Sequence, residues 1–365
     1  MSYQKILVGI DGSKQSDMAF AKALEVAKQN DAKLYLLSVI NGERIPSGGP
    51  NGYGFVDRSI YKPAIETMKQ KLAEYEKKAQ AAGITDVVTE VEVGNAKLLR
   101  ALANMQELAP HFISVTASNN KYNIKETTVA LANYIQNELS IPTIAHLPAV
   151  YLSKEKVADT LQELNEVGVH RILALRGDII PGVEPLKDFR YATDLIEFIK
   201  TEAPHFEVIG ACYPEGHPDS PNQISDIQNL KKKVDAGCSS LVTQLFFDNE
   251  RFYDFQDKCT LAGINVPIHA GVMPILNRNQ ALRLLKTCEN VHIPRKFKAI
   301  LDKYEHDPES LRAAGLAYAV DQIVDLVTQD VAGVHLYTMN NEDVAYHVYQ
   351  ATKALFDHQP NFEVN

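Results

Sequence analysis

One pattern recurs along this chain from Phe112 onward. A short apolar run closes on a polar residue, and a stretch with apolar positions three and four apart follows it. Seven such runs occur, at Phe112–Thr116, Thr143–Leu147, Arg171–Leu175, Val208–Tyr213, Leu241–Phe247, Ile268–Met273 and Val334–Met339. Helix-period segments between the runs predict a parallel sheet built from βα units. The expected architecture is an α/β fold of the (β/α)8 barrel type, seven units of which are present from residue 112 on. In such a barrel the carboxyl ends of the strands face the mouth. Here those ends carry Thr116, His146, Arg176 with Asp178, Tyr213 with His217, Gln244 and Tyr337.

The preceding residues follow a different rhythm. Lys5–Asp11 is a continuous apolar strand that stops at Asp11-Gly12-Ser13, Ser16–Lys28 has helical spacing, and Lys33–Ile40 is a second buried strand. Asn41–Tyr61, with Pro46, Pro50 and several glycines, predicts a long loop. A charged amphipathic helix over Ala64–Ala82 ends at Gly83. In the third strand, Asp86–Val93, Glu90 and Glu92 alternate with valines, as on an edge strand or a barrel strand that points carboxylates inward. Lys97–Leu108 is again helical. Three further strands exceed one simple eight-stranded barrel. Residues 1–97 are therefore expected to be a βαβαβ fragment of flavodoxin-like or Rossmann-like type that completes or extends a barrel over 98–365.

Composition narrows the partners. The 365 residues carry 45% hydrophobic and 23% charged positions, as in an ordinary globular protein with room for one large and one smaller domain. A net charge of −9 argues against nucleic acid or an anionic membrane as the main partner. The compact basic run Lys231-Lys232-Lys233 is too small to change that. With no apolar stretch of about 18 residues and no basic-then-apolar leader, a cytoplasmic protein is expected. Cys212, Cys238, Cys259 and Cys288 lack metal-type spacing, so free thiols and no metal site are expected.

Two resemblances divide the chain at the same place. Lys5-Ile-Leu-Val-Gly-Ile-Asp-Gly-Ser, Leu36-Leu-Ser-Val-Ile and Val91-Glu-Val-Gly-Asn resemble the front half of a universal stress protein. The resemblance implies a nucleotide site touched by Asp11 and Val39, which meet the adenine end of ATP in that family. The glycine-rich phosphate segment that would follow the family's fourth strand is missing, since Phe112-Ile-Ser-Val-Thr leads into Ala117-Ser-Asn-Asn. Without those backbone amides the anion site is lost, and the ATP site is expected to be vestigial.

From about residue 98 to 357 the motifs resemble methylenetetrahydrofolate reductase. They are Ser114-Val-Thr116, Ala145-His146-Leu147, Leu175-Arg176-Gly177-Asp178, Tyr213-Pro214-Glu215-Gly216-His217-Pro218, Leu230-Lys-Lys-Lys-Val-Asp-Ala-Gly237, Thr243-Gln244-Leu-Phe-Phe-Asp248, Gly271-Val-Met-Pro274 and Tyr337-Thr-Met-Asn340. The resemblance implies FAD, with NADH or NADPH as electron donor, a folate as small-molecule substrate, and an oxidoreductase of one-carbon metabolism and methionine biosynthesis. The family's first strand, which carries a catalytic glutamate, has no counterpart, and its absence explains the count of seven. The chain thus has the layout of a fusion or chimera. A homo-oligomer is compatible with it.

By the same resemblance, Thr116, His146, Arg176, Gly177, Asp178, Ala192, Tyr213, His217, Asp226, Asn229, Lys232 and Lys233 fall on flavin-binding positions, and Gln244, Gln280 and Tyr337 on substrate positions. Asp178 matches a catalytic carboxylate near the flavin ring, and Gln244 an amide that serves nicotinamide and folate in turn. Spacing of i, i+3, i+7 places Asp226, Asn229 and Lys233 on one helical face. Taken alone, the lysine run is a solvated face, Gly177-Asp178 a turn, Gln280 an exposed helical residue, and the two histidines core residues. The chain departs from the family at Asn341, where an arginine often holds the folate tail, and at Leu284, where an aromatic stacks in some relatives.

Two strands could supply a carboxylate in place of the missing glutamate. Asp86–Val93 could fill the first barrel slot and bring Glu92 to the mouth, or Lys5–Asp11 could pair with Phe112–Thr116 and bring Asp11. Otherwise Glu90 and Glu92 sit in solvent on an edge strand. A reductase, a flavoprotein limited to NAD(P)H oxidase or diaphorase activity, and an inert nucleotide-binding or structural fusion follow as the competing functions.

Overall fold

A computed structural model describes residues 3–11, 13–30, 32–41, 62–94, 96–117, 128–180, 182–287 and 290–356. Residues 39–41, 62–64, 90, 92–94, 96–100 and 285–287 are described as backbone only. The chain divides into two compact units, Met1–Arg100 and Ala101–Asn365.

In the first unit β1 (Lys5–Gly9), β2 (Lys33–Asn41) and β3 (Val87–Gly94) form a parallel sheet in the order β1-β2-β3. The register sets Lys5 beside Lys33 and Leu34 beside Val87. Parallel neighbours need crossovers, which α1 (Lys14–Asn30) and α2 (Lys62–Ala81) supply. Asp11 Oδ1 accepts from Ser13 N at 2.8 Å, and Ser13 Oγ from Ser16 N at 3.1 Å, which starts α1. Val8, Ile10, Phe20, Leu34, Leu36, Leu72 and Tyr75 make the core. The Phe20 and Tyr75 rings meet edge to face at 4.8 Å.

The second unit holds seven parallel strands. They are β4 (Ile113–Val115), β5 (Thr143–Pro148), β6 (Arg171–Leu175), β7 (Glu207–Cys212), β8 (Ser240–Thr243), β9 (Ile268–Val272) and β10 (Val334–Leu336), paired in strict sequence order. Between them run α5 (Lys154–Glu166), α6 (Ala192–Glu202), α7 (Gln223–Asp235), α8 (Asn249–Leu261), α9 (Arg278–Thr287), α10 (Arg295–Lys303) and α11 (Pro308–Thr328), and α12 (Glu342–Phe356) follows β10. A helix over Ala96–Gln106, α3, precedes β4, and α4 (Ala130–Asn133) precedes β5. Ser153, Asn222, Asp248 and Asp307 cap α5, α7, α8 and α11 through their side-chain oxygens.

Alternation with period two sorts each strand's residues. Ile144, Leu173, Ile209 and Val242 pack with Phe112 and Leu175 on the inner face. Phe246, Phe252, Phe255, Val272 and Ile323 belong to the larger layer between sheet and helices. Two expected strands stop early. β8 ends at Thr243, so that Phe246 stacks on Phe252 and Phe247 on Phe297. β10 ends at Leu336, beyond which Met339 and Asn340 have positive φ.

Within the first unit β1 and β3 pair only with β2 among the described residues. Val8, Ile10, Leu34 and Leu36, with Ile6, Val87 and Val91 partly buried, face the core with α1 and α2, whereas Leu7 is exposed. The sheet edges of the second unit meet each other. Ser114 Oγ on β4 lies 2.8 Å from His335 Nε2 on β10, and the Phe112 ring stacks on His335 at 5.9 Å and 13°. Asn104 on α3 donates to Glu342 on α12 at 2.7 Å. Seven strands thus curl until the first and last are bridged by side chains, with no ladder between them.

Candidate active site

The strand ends converge as parity requires. Thr116, His146, Tyr213, Gln244 and Tyr337 continue the inward-facing series of their strands, in step with Ile144, Ile209 and Val242. Around β6 and β7 the side chains form one polar cluster. Arg176 Nη1 donates to Asp219 Oδ2 at 2.7 Å, and its Nε to the Gly177 carbonyl at 3.2 Å. Gly177 has φ 87°, a left-handed turn that L side chains rarely adopt and that brings Asp178 next in line.

The Tyr213 and His217 rings lie edge to face at 4.6 Å. Burial pushes the Tyr213 phenol up to about 12, and the negative charges of Asp178 and Asp226 add to it. Asp219 N donates to His217 Nδ1 at 3.0 Å, and burial lowers the His217 pKa. Asp226 is fixed by the His217 N–H at 3.3 Å and the Ser220 hydroxyl at 2.9 Å. Lys233 reaches inward from α7 to donate to the Ala211 carbonyl at 2.9 Å. Its burial favours the neutral amine, while Asp226 opposes that.

The structure therefore gathers Arg176, Gly177, Asp178, Tyr213, His217, Asp226 and Lys233. Asn229 and Lys232 are exposed and pair with each other at 3.1 Å, so the helical face expected to carry Asp226, Asn229 and Lys233 together is split. Ala192, buried at the start of α6, offers only backbone. Gln244 Oε1 accepts from Leu245 N at 3.0 Å. Both ends of the Gln280 amide serve the turn after β9, accepting from Leu276 N at 2.9 Å and donating to the Pro274 carbonyl at 3.1 Å. Tyr337 Oη donates to the Thr243 carbonyl at 2.9 Å. Leu284 is core, packed among Phe247, Met273 and Phe297. Asn341 accepts from Val344 N at 3.3 Å at the start of α12.

On the neighbouring strand β5 His146 is half-buried by area, yet its Nε2 is shut off from solvent and has no partner among the described residues. Burial, with the nearby His335, lowers its pKa to about 3. A neutral imidazole with one uncommitted nitrogen facing the lumen invites a bound group. Thr116 is exposed at the end of β4. The backbone of Glu92 lies opposite Val39 between β3 and β2, and the side chains of both fall outside the described residues. Asp11 is held by Ser13, whose hydrogen bonds lower its pKa.

Sequence reasoning missed two carboxylates. Asp219 sits two residues past His217 and pins Arg176. Glu215 receives the His292 N–H on both oxygens at 3.1 Å, and burial raises its pKa to about 7. Glu215 lies inside a quoted motif, and a carboxylate between Pro214 and Gly216 was the available signal.

A family model described as methylenetetrahydrofolate reductase matches residues 69–353. The chain belongs to the methylenetetrahydrofolate reductase family. It is 33% identical over 249 residues to the 5,10-methylenetetrahydrofolate reductase of Pectobacterium carotovorum, covering 68% of this chain and 82% of that one. To the enzyme of that name from Escherichia coli K12 it is 32% identical with the same coverage. A protein from Clostridium thermocellum, described as binding two copies of 5-methyl-5,6,7,8-tetrahydrofolic acid, shares the fold with a TM-score of 0.50 at 13% identity, over 71% of this chain and 88% of its own. Residues 2–107 match the universal stress protein family model, so two families meet in one chain. Among the described residues no group of three metal-ligating side chains occurs and no helix is long and apolar enough to cross a membrane.

Proposed function

We propose that this chain is a cytoplasmic FAD-dependent reductase of the methylenetetrahydrofolate type, taking electrons from NADH or NADPH, with folate reduction impaired relative to electron uptake. The observation that carries the reading is the contrast across the mouth. One wall, from β6 to α7, presents the paired and oriented groups Arg176, Asp178, Tyr213, His217, Asp226 and Lys233. The seam between β4 and β10, where the family's acid-bearing strand belongs, presents Ser114, His335 and Phe112.

The residues present suit a flavin dinucleotide. Arg176 supplies a cationic donor and Lys233 a further N–H donor for a pyrophosphate, Asp226 an acceptor for ribose hydroxyls, and His146 Nε2 a polar atom without a partner among the described residues. When bound, FAD supplies hydride transfer between nicotinamide and folate. The protein's part is orientation and charge. Asp178, beside Tyr213, places a carboxylate where a cationic folate iminium gains by it. The Gln244 Nε2 offers a donor to either heterocycle. Tyr337 shapes the floor between β8 and β10.

Opening of the methylene bridge needs a proton at the folate nitrogen, and a general acid contributes about 10²–10⁴ in rate. Neither Ser114 nor the buried neutral His335 is suited to that task, so folate turnover is the step that suffers. Purified protein should be yellow with a bound-flavin spectrum and should oxidise NADH with menadione much faster than with methylenetetrahydrofolate. A colourless protein that takes up no added FAD refutes the reading. Equal rates with both acceptors refute the impairment.

A further inference from the structure

At the end of the second unit away from the mouth, two histidines share one acceptor. His170 stands just before β6 and His205 shortly before β7, at the amino ends of their strands. Their Nε2 atoms lie 3.2 Å and 3.0 Å from the same atom, Asn165 Oδ1, on the last turn of α5. The spacing of 165, 170 and 205 matches no metal motif, and the pairing of Arg171 with Glu207 between β6 and β7 brings them together. All three side chains are exposed, yet the two rings rest against one buried aromatic. Their centroids lie 5.8 Å and 4.7 Å from that of Phe206, which is 1% exposed. The backbone beneath is fixed as well, since Glu207 N donates to the His170 carbonyl at 2.8 Å and Gly168 N to the Asn165 carbonyl at 3.0 Å. The flanking cations Arg171 and Lys200 are engaged by Glu207 and by the Phe206 carbonyl.

We infer that His170, His205 and Asn165 form a binding site for one divalent transition-metal ion of the nickel, copper or zinc class, with water completing its shell. Ligand atoms ~2.1 Å from a common ion stand ~3.0–3.4 Å from one another, the shorter value in octahedral and the longer in tetrahedral geometry. Both nitrogen-to-oxygen distances fall on that scale. Two imidazoles bound at ~2.1 Å hold their centroids ~5–6 Å apart. Here the separation is 5.7 Å. Binding needs each Nε2 to present its lone pair, so the ring proton moves to Nδ1 through solvent and the amide oxygen turns to the ion. A neutral ring loses no proton in that exchange. Imidazole nitrogen selects these metals over magnesium and calcium. Two imidazoles and an amide are a donor set distinct from the His, Cys, Asp and Glu triads that are absent among the described residues. The bound ion would staple the end of α5 to the starts of β6 and β7. The inference does not rest on the reductase reading, because none of its residues lies at the mouth.

The test is calorimetric titration of the purified full-length chain with Ni²⁺ at about pH 7.5, where ordinary imidazoles are neutral. One ion per chain is expected. His170→Gln or His205→Gln should weaken binding by about tenfold or more, and the pair should abolish it. Asn165→Asp puts a charge on the third ligand and should tighten binding several-fold. His347→Gln, on α12, should leave the affinity unchanged. Because the substituted side chains are exposed, the variants should keep the wild-type circular dichroism spectrum, and Ni²⁺ should raise the thermal transition of the wild type but not of the double variant. Affinity that survives in the double variant, or that Asn165→Asp leaves unmoved, overturns the inference. So does a wild-type chain without a one-to-one site.

Discussion

Closure of a seven-stranded barrel through side chains makes a quantitative demand on Ser114. Its hydroxyl is the partner of His335 Nε2 at 2.8 Å, and His335 Nδ1 already has none among the described residues. Ser114→Ala would leave the buried ring with neither nitrogen satisfied. An unsatisfied buried polar group costs about 1–3 kcal/mol, and a domain of this size loses about 2–4 °C of Tm per kcal/mol, so a drop of about 4–8 °C follows from the middle of that range. Because the chain has two units, the experiment is calorimetry of the full chain, with the barrel transition identified by Ile323→Val in its core. A double-mutant cycle sharpens the result. His335→Phe keeps a ring against Phe112 and removes both polar atoms, so Ser114→Ala combined with His335→Phe should cost less than Ser114→Ala alone. A Ser114→Ala transition within 1 °C of wild type, or additive costs in the cycle, would refute the claim that this contact closes the barrel.

Other consequences are open to direct measurement. His146 and His335 have folded pKa values of about 3 and about 4, below the ordinary 6.5. Barrel stability should therefore be complete above pH 6.5 and fall as the pH drops toward 4, by up to about 1.4 kcal/mol per pH unit for each ring, and His335→Phe should flatten that slope in a denaturant series. Glu215, raised to about 7, acts in the opposite sense, since its contribution is full below pH 4.5 and is lost as the pH rises toward 7; Glu215→Gln should remove that loss. Arg176→Ala breaks the pair with Asp219 and should weaken FAD binding by about tenfold or more in a fluorescence titration, whereas an unchanged affinity would place Arg176 outside the flavin site. Gly315→Ala would drive a Cβ into the Ile275 carbonyl oxygen and should lower the barrel stability by more than about 3 kcal/mol, while an unchanged transition would show that α11 does not pack as described.

The strand ends were legible because a parallel strand buried on both faces tolerates a polar residue only where it leaves the sheet. That single rule located Thr116, Arg176, Tyr213 and Tyr337, each just past its ladder, whereas His146 lies inside β5 opposite Leu173. It overshot at β8, since Leu245, Phe246 and Phe247 continue the apolar run after the ladder has stopped and are buried in separate cores. Asp219 and Glu215 were harder, because a carboxylate in a Gly/Pro-rich loop has the same sequence signature whether it pins an arginine or sits in water. Gln280 illustrates the converse. A glutamine that the resemblance assigns to the substrate holds the turn before α9, and only its two backbone contacts reveal it.

The seam lay beyond any local pattern, as its partners are 221 residues apart. Missing one strand, a parallel sheet of this twist could stay open and expose two edges, or recruit a strand from elsewhere in the chain. β1 and β3 had the composition to be recruited, and chain order favoured them. Each already lies beside β2 with one face packed on α1 and α2. Pulling either out would cost a ladder and a core to gain one ladder. Bridging β4 to β10 costs only the desolvation of one serine and one histidine, offset by their mutual hydrogen bond and the stacked Phe112. The cheaper closure leaves a neutral histidine at the seam, where the proposed function sets the missing acid, so the contact that bridges β4 and β10 also bears on the chemistry proposed for the mouth.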